Sequence, residues 1–140
     1  MSPNVALRFS SRVILLRVVE PYSTALREAL PGMPAWPSIE LAADVAQERA
    51  NAEHEAAKRY LTTVIDRLQA QRVSAEAEIA EGAPAPEIVR YASAHGADLI
   101  AMSTHGRGGM ARLVFGSVAD EVLRSAACPV LLIRSHLDSQ

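Results

Sequence analysis

Residues 12–20 read RVILLRVVE, a run rich in β-branched side chains with almost no alternation of polar and apolar positions, bounded by Ser10-Ser11 before and Pro21 after. Successive side chains on a strand point to opposite faces, so a half-exposed strand alternates, whereas a run apolar on both faces belongs inside a parallel sheet covered by helices. Parallel neighbours need crossover connections, usually helical. This one segment therefore directs the chain toward the α/β class.

The rest of the chain supplies the crossovers. Residues 21–37 carry four prolines and Gly32, which excludes persistent regular structure and predicts a long surface loop with one helical turn around Leu26. From Ser38, a suitable N-cap, to Gln71 the apolar residues Leu41, Val45, Ala52, Ala56, Tyr60, Val64 and Leu68 recur at helical spacing, with Glu, Gln and Arg between them. At ~1.5 Å per residue that helix would be about 45–50 Å long, more than a small domain needs, so it is expected to break or project. Residues 72–80, RVSAEAEIA, alternate as a half-exposed edge strand does.

Gly82 and Pro84 mark a turn. Pro86 fits the first turn of a helix running to His95, with Gly96 as its C-cap. Residues 98–102, DLIAM, read as a short buried strand, residues 117–126 as a helix, and residues 129–134, PVLLIR, as the last strand. The order β-α-β-α-β-loop-α-β predicts an open parallel doubly wound sheet, Rossmann-like, with four visible strands and right-handed crossovers. At 140 residues the chain is expected to form a single domain, 1–140, with a disordered tail at 135–140.

Composition removes several classes of function. The longest apolar runs, such as residues 13–16, fall far short of the ~20 residues that cross a bilayer. The first eleven residues lack the apolar stretch of a secretory signal, so a cytoplasmic location is expected, and the single cysteine, Cys128, fits a reducing compartment. A net charge of −2, with two Phe, three Tyr and one Trp, provides neither the basic field nor the stacking platforms of a nucleic-acid binder.

The chemistry concentrates in MSTHGRGG, residues 102–109, followed by Gly116-Ser117. The segment follows a predicted parallel strand and runs into a helix amino terminus, where open α/β sheets bind ligands. Free backbone N–H groups there favour anions, and glycine lets a phosphate approach the main chain without Cβ interference. A Walker loop is excluded because the only lysine is Lys58, within the long helix; the Rossmann fingerprint is excluded because Gly106-Arg107-Gly108-Gly109 follows the third strand rather than the first. A phosphoacceptor receiver is disfavoured, since no Asp ends the 72–80 strand and no Lys ends the 129–134 strand. His54, His95, His105 and His136 have no metal-ligand spacing with one another or with Cys128. No nucleophile-base arrangement can be assigned, so no catalytic and no metal residue is named.

The stretches DLIAMSTHGRGGM, Gly116-Ser117-Val118-Ala119 and CPVLLI together resemble the carboxyl-terminal half of a universal stress protein domain. Nucleotide-binding members of that family carry glycine, two residues, glycine, nine residues, then glycine followed by Ser or Thr. Here Gly106 is the second glycine, residues 107–115 are the nine, and Gly116-Ser117 closes the pattern, while Ser103 stands at the first glycine. Residues 13–21 and 81–89 resemble the family's second strand and the turn into its third helix, so the likeness spans about residues 7–134.

The resemblance implies an adenine nucleotide alpha hydrolase-like fold and binding of ATP or a related adenine nucleotide, with Mg2+ or Mn2+ on the phosphates. Gly106, Arg107, Gly116, Ser117 and Val118 would lie along the phosphates, mostly through backbone N–H groups. Met102 and Ser103 would border the ribose and adenine, and Val18 would offer backbone to the adenine edge. It also implies a homodimer through Val130, Leu131, Leu132 and Ile133, a role as a stress-response sensor or regulator, and at most weak ATP hydrolysis. Ser117 is at the same time a suitable N-cap, with Asp120 three residues on. Family domains open with a strand ending in a Pro-Thr-Asp-like turn and a helix; the eleven residues before Arg12 do not read as that strand, which is expected to be missing from the centre of the sheet. Together with Ser103, this motivates a second reading, a dimeric interaction module of the same fold that does not bind nucleotide.

Overall fold

The computed structural model describes residues 11–24, 38–104 and 116–134. The helical turn expected at Leu26, His105, the tail and the core of the glycine-rich loop lie outside the described residues. The chain divides into two units, Ser2–Ala83 and Pro84–Gln140, each of which has its own parallel strand pair and buried apolar residues.

In the first unit, the apolar run forms β1 (Val13–Val19), joined through α1 (Ser38–Ala70) to β2 (Ala75–Glu81). The two strands are parallel, Val13 facing Ala75 and Val19 facing Glu81. This is the pairing that an apolar strand followed by a helical crossover demands. Arg12, just before β1, donates from Nε and Nη2 to the two carboxylate oxygens of Glu76, at 3.2 and 2.7 Å. Those hydrogen bonds, and then the guanidinium charge, hold the Glu76 carboxyl below the usual carboxylate range. Both side chains are exposed, so the pair fixes register more than it adds stability.

α1 runs unbroken for 33 residues; the break envisaged from its length does not occur. Its packed side is also different from the one indicated by apolar spacing. Ala42, Ala46, Ala57 and Leu61 are buried, together with Val19 and Val73, whereas Leu41, Val45, Ala52, Ala56 and Tyr60 are exposed. Successive residues are ~100° apart on a helix, so the packed stripe lies about a quarter-turn round from the expected one. Alanine at the contact lets the helix backbone approach the strands closely, and small side chains win the sheet face although larger apolar ones are available. Only the carboxyl-terminal members of the expected stripe, Val64 and Leu68, are half-buried large side chains.

The helix ends in a reciprocal backbone lock. The Val73 amide donates to the Leu68 carbonyl at 2.9 Å and the Arg72 amide to the Gln69 carbonyl at 2.8 Å, with Arg72 at φ 61°. This is the Schellman arrangement, which places a left-handed residue just past the helix and an apolar residue after it, here the buried Val73. Residues 71–73 are consumed in this closure, which is why β2 begins at Ala75 instead of Arg72. A left-handed conformation costs a non-glycine residue roughly 1–2 kcal/mol, partly offset because glycine is freer when unfolded. Arg72→Gly is therefore expected to stabilise the protein by about 0.5–1 kcal/mol in urea unfolding followed by circular dichroism; a destabilised variant would show that the Arg72 side chain contributes more than its backbone costs.

The second unit contains α2 (Pro84–Ala94), β3 (Ile100–Thr104), α3 (Ser117–Ser125) and β4 (Val130–Arg134). Pro84 opens α2, where a missing N–H is harmless. Gly96 closes it at φ 59°, its amide bonded to Ser93 at 3.2 Å and the Ala97 amide to Ala92 at 2.9 Å. The turn out of α2 delays β3 by two residues from its expected start at Asp98. The Ile100 amide then donates to the Pro129 carbonyl at 3.0 Å. Proline has no N–H to give, and β4 starts one residue later.

β3 and β4 are parallel, Ile100 facing Val130 and Thr104 facing Arg134. Ala85, Ile100 and Val122 form the buried cluster, with Ile88, Val89, Met102, Val118, Cys128 and Val130 packed against it. Ile100 and Met102 thus point toward the helices, while the alternating Ala101 and Ser103 are exposed on the other face. Sequence alone predicts a strand buried throughout; only the helix-facing half of it is. Among the described residues the four strands form two parallel pairs, β1 with β2 and β3 with β4, and no strand precedes β1. No helix among them is long and apolar enough to cross a membrane.

Candidate functional site

The strongest candidate site is the start of α3. Gly116 has φ −56° and ψ 157°, and its carbonyl accepts the Asp120 amide at 3.0 Å, the first bond of the helix. Gly116 is thus the N-cap. Ser117, which sequence reasoning proposes for that role, is the first helical residue instead, because a cap must be extended while its carbonyl already accepts from four residues on. Among the described residues no side chain caps this end. The amides of Ser117, Val118 and Ala119 precede the first intrahelical bond and have no acceptor within the helix. They lie at the positive end of the helix dipole, a ready position for an anion.

Gly116 also presents an open approach. A Cβ built on it would meet no atom of the described residues within 4 Å, and its backbone angles lie where any L-residue is comfortable. Neither packing against the described residues nor conformation requires glycine here. Gly116 and Ser117 are exposed and Val118 is half-buried against the core, so the main chain of this turn is accessible while its third residue anchors it. Ala119, 4% exposed, contributes the third amide without an acceptor in the helix. Sequence reasoning does not single it out, because a backbone donor leaves no signature in residue type. Asp120, in the same turn, is hydrogen bonded by Arg124 one turn on, which moderates a carboxylate beside the amides.

The other sequence-derived positions fall as follows. Ser103 is exposed near the carboxyl end of β3, and Met102 is directed into the core cluster. Gly106 and Arg107 lie outside the described residues. Val18 belongs to the first unit, half-buried on β1 opposite Ala80. On β4, Leu131 is 43% exposed and Val130, Leu132 and Ile133 are half-buried. β4 pairs only with β3 among the described residues, leaving its other edge without a strand among them.

Several polar residues have local structural roles. His95 stacks on Tyr91 with ring centroids 3.9 Å apart, and its Nδ1 lies 2.9 Å from the Tyr91 carbonyl. Arg90 donates to Glu87 from the next turn of α2, and these hydrogen bonds keep the Glu87 carboxyl below its ordinary value. Cys128 packs against the core cluster, as expected of a free cysteine. Among the described residues no three His, Cys, Asp or Glu side chains converge to hold a metal ion. A cavity of about 190 Å³, lined by Val89, Ala92, Gly96, Ile100 and Cys128 among others, lies at the amino end of β3, the opposite end of the strand from Ser103.

Comparison with known proteins gives a consistent assignment. The family model described as the universal stress protein family matches residues 4–134. Universal stress protein MJ0531 of Methanocaldococcus jannaschii is 35% identical over 131 residues, which is 94% of this chain and 69% of that protein. Universal stress protein YxiE of Bacillus subtilis is 39% identical over 62 residues, 44% of this chain and 42% of its own. Among solved structures, universal stress protein UspA of Lactobacillus plantarum aligns with a TM-score of 0.71 at 25% identity, covering 95% of this chain and 84% of that one. A universal stress protein family member of Arabidopsis thaliana, solved with AMP bound, shares the fold with a TM-score of 0.61 at 17% identity over 98% of this chain and 78% of its own.

Proposed function

Because the chain belongs to the universal stress protein family, we propose that it is a stress-response sensor or regulator that binds ATP or a related adenine nucleotide. The observation that carries this reading is Gly116. Its glycine identity answers no need of its backbone or of packing against the described residues, but it fits a phosphate brought against the main chain beside three amides that have no acceptor within the helix. The chemistry of that end of α3, donors without acceptors in the helix and no described side chain in the way, suits a polyanion.

In this reading Gly116, Ser117 and Val118 hold the phosphates through backbone N–H groups, joined by Gly106 and Arg107. Ser103 and Met102 border the ribose and base. A divalent cation, Mg2+ or Mn2+, rides on the phosphates. The AMP bound by the Arabidopsis relative supports an adenine nucleotide as the ligand class. Signalling follows from occupancy, and hydrolysis is slow and incidental because no general base can be assigned. The protein works in the cytoplasm as a homodimer through the edge of β4, at Val130, Leu131, Leu132 and Ile133.

Isothermal titration of nucleotide-free protein with ATP and Mg2+ tests the reading. Saturable heat at submillimolar ligand is expected. Its absence would favour the second reading, an interaction module of the same fold without nucleotide, which Ser103 at the motif's first glycine motivates.

A further inference from the structure

Serine at the motif's first glycine position does not obstruct the amides of α3. Ser103 lies within β3, and among the described non-glycine residues only Arg72 has a positive φ, so its backbone is ordinary extended strand that any residue adopts. Successive strand residues point to opposite faces. Met102 and Val118, the latter in the first turn of α3, pack against the same buried cluster, whereas Ser103 is exposed on the face of β3 away from the helices. The amides of residues 117–119 and the Ser103 side chain thus stand on opposite sides of the carboxyl end of one strand.

The face on which Ser103 stands carries nothing else that is polar. By alternation it is formed by Ala101 and Ser103 on β3 and by their register partners Leu131 and Ile133 on β4. Ala101 and Leu131 are exposed and Ile133 is half-buried. Ser103 alone among these has a hydrogen-bonding side chain, and its hydroxyl makes no hydrogen bond to another described residue. A hydroxyl both donates and accepts. In an apolar surround without charge, such a group suits a neutral hydroxyl of the ligand, while the charged phosphates are met by the amides on the other side of the strand.

Resting on the nucleotide reading above, we infer that Ser103 selects the sugar: its hydroxyl hydrogen bonds to a ribose hydroxyl, and the chain prefers ribonucleotides to their deoxy counterparts. The nucleotide straddles the carboxyl end of β3, with its phosphates on the α3 side and its sugar on the side of Ser103. Serine in place of glycine then adds a contact to the site instead of closing it. Because Ser103 is exposed, water competes for its hydroxyl, and the preference is that of one neutral hydrogen bond, about three- to tenfold.

Calorimetric titration of nucleotide-free protein with ATP, 2′-deoxy-ATP and 3′-deoxy-ATP reads the preference directly. The unaltered chain is expected to bind ATP more tightly, by this margin, than at least one of the deoxy analogues. Ser103→Ala is expected to weaken ATP by the same factor and to leave that analogue unchanged, bringing the ratio near one. Its thermal unfolding stays as it was, because the side chain is exposed. Ser103→Thr keeps the hydroxyl and with it the ratio, whereas Ser103→Gly loses the ratio as alanine does. Equal affinities for all these nucleotides in the unaltered chain would overturn the inference and leave nucleotide binding standing. A ratio that survives in Ser103→Ala would overturn it too, by assigning the sugar contact to another group. No heat with any nucleotide would overturn the nucleotide reading and this inference with it.

Discussion

Replacing Val122 with aspartate is expected to abolish cooperative folding of the Pro84–Gln140 unit. Val122 is fully buried, the largest side chain of which this is true among the described residues, and it forms the centre of the cluster with Ala85 and Ile100. No buried polar or charged side chain lies among the described residues to receive a carboxylate. An unpaired charge placed there costs more than about 4 kcal/mol, or is neutralised by protonation at a comparable cost. A domain is stable by only ~5–15 kcal/mol in total. Val122→Ala separates size from charge: two methyl groups at roughly 0.8 kcal/mol each, plus a small cavity, give a loss of about 2 kcal/mol. Urea unfolding followed by circular dichroism measures both. An Asp variant with the parental midpoint would mean that the site reaches water, against its burial.

The second large effect is expected on ligand affinity with little change in the fold. Gly116→Val places a branched side chain where the described residues leave open space, so the chain still folds, but the main chain beside the three amides is no longer approachable. ATP affinity is expected to fall at least about tenfold, equivalent to ~1.4 kcal/mol. Valine is also a poorer N-cap than glycine, which takes up to about 1 kcal/mol from stability. Gly96→Ala is the reciprocal control. At φ 59° that glycine is required by the backbone, so the variant loses about 1 kcal/mol of stability and keeps its affinity. Calorimetric titration beside thermal melts distinguishes the two. Unchanged binding by the Gly116→Val variant would remove Gly116 from the site.

Much of the architecture is legible in the residues themselves. The β-branched run around Leu15, the Pro-rich loop and the long periodic segment from Ser38 predict a parallel strand and its helical crossover, and β1 and α1 lie within a residue or so of those expectations. Local signals of this kind depend on neighbouring residues alone, so they survive whatever the tertiary packing does. Expectation and structure part where two solutions are locally equal. In α1 both the Leu41-Val45 stripe and the Ala42-Ala46 stripe have helical period, and nothing local says that close approach to a sheet prefers alanine. At residues 71–75 the alternation of RVSAEA extends back through a turn that only the backbone bonds of Leu68 and Gln69 reveal.

The candidate site divides in the same way. Its place after a parallel strand, and Gly116-Ser117 at its close, can be read from spacing, because a turn and a helix start require particular residue types. The donors themselves cannot. An amide serves whatever side chain it carries, which is why Ala119 gives no signal in the sequence and why Ser117 reads as the cap that Gly116 in fact provides. By itself, the sequence determined the α/β class and the family likeness and pointed to the candidate segment, since these rest on local periodicity and glycine placement. Only the tertiary structure decided which face of α1 is covered, which residue opens α3, and that Gly116 has no packing duty toward the described residues. Those depend on what stands across from each residue, and distance in space is not encoded in spacing along the chain.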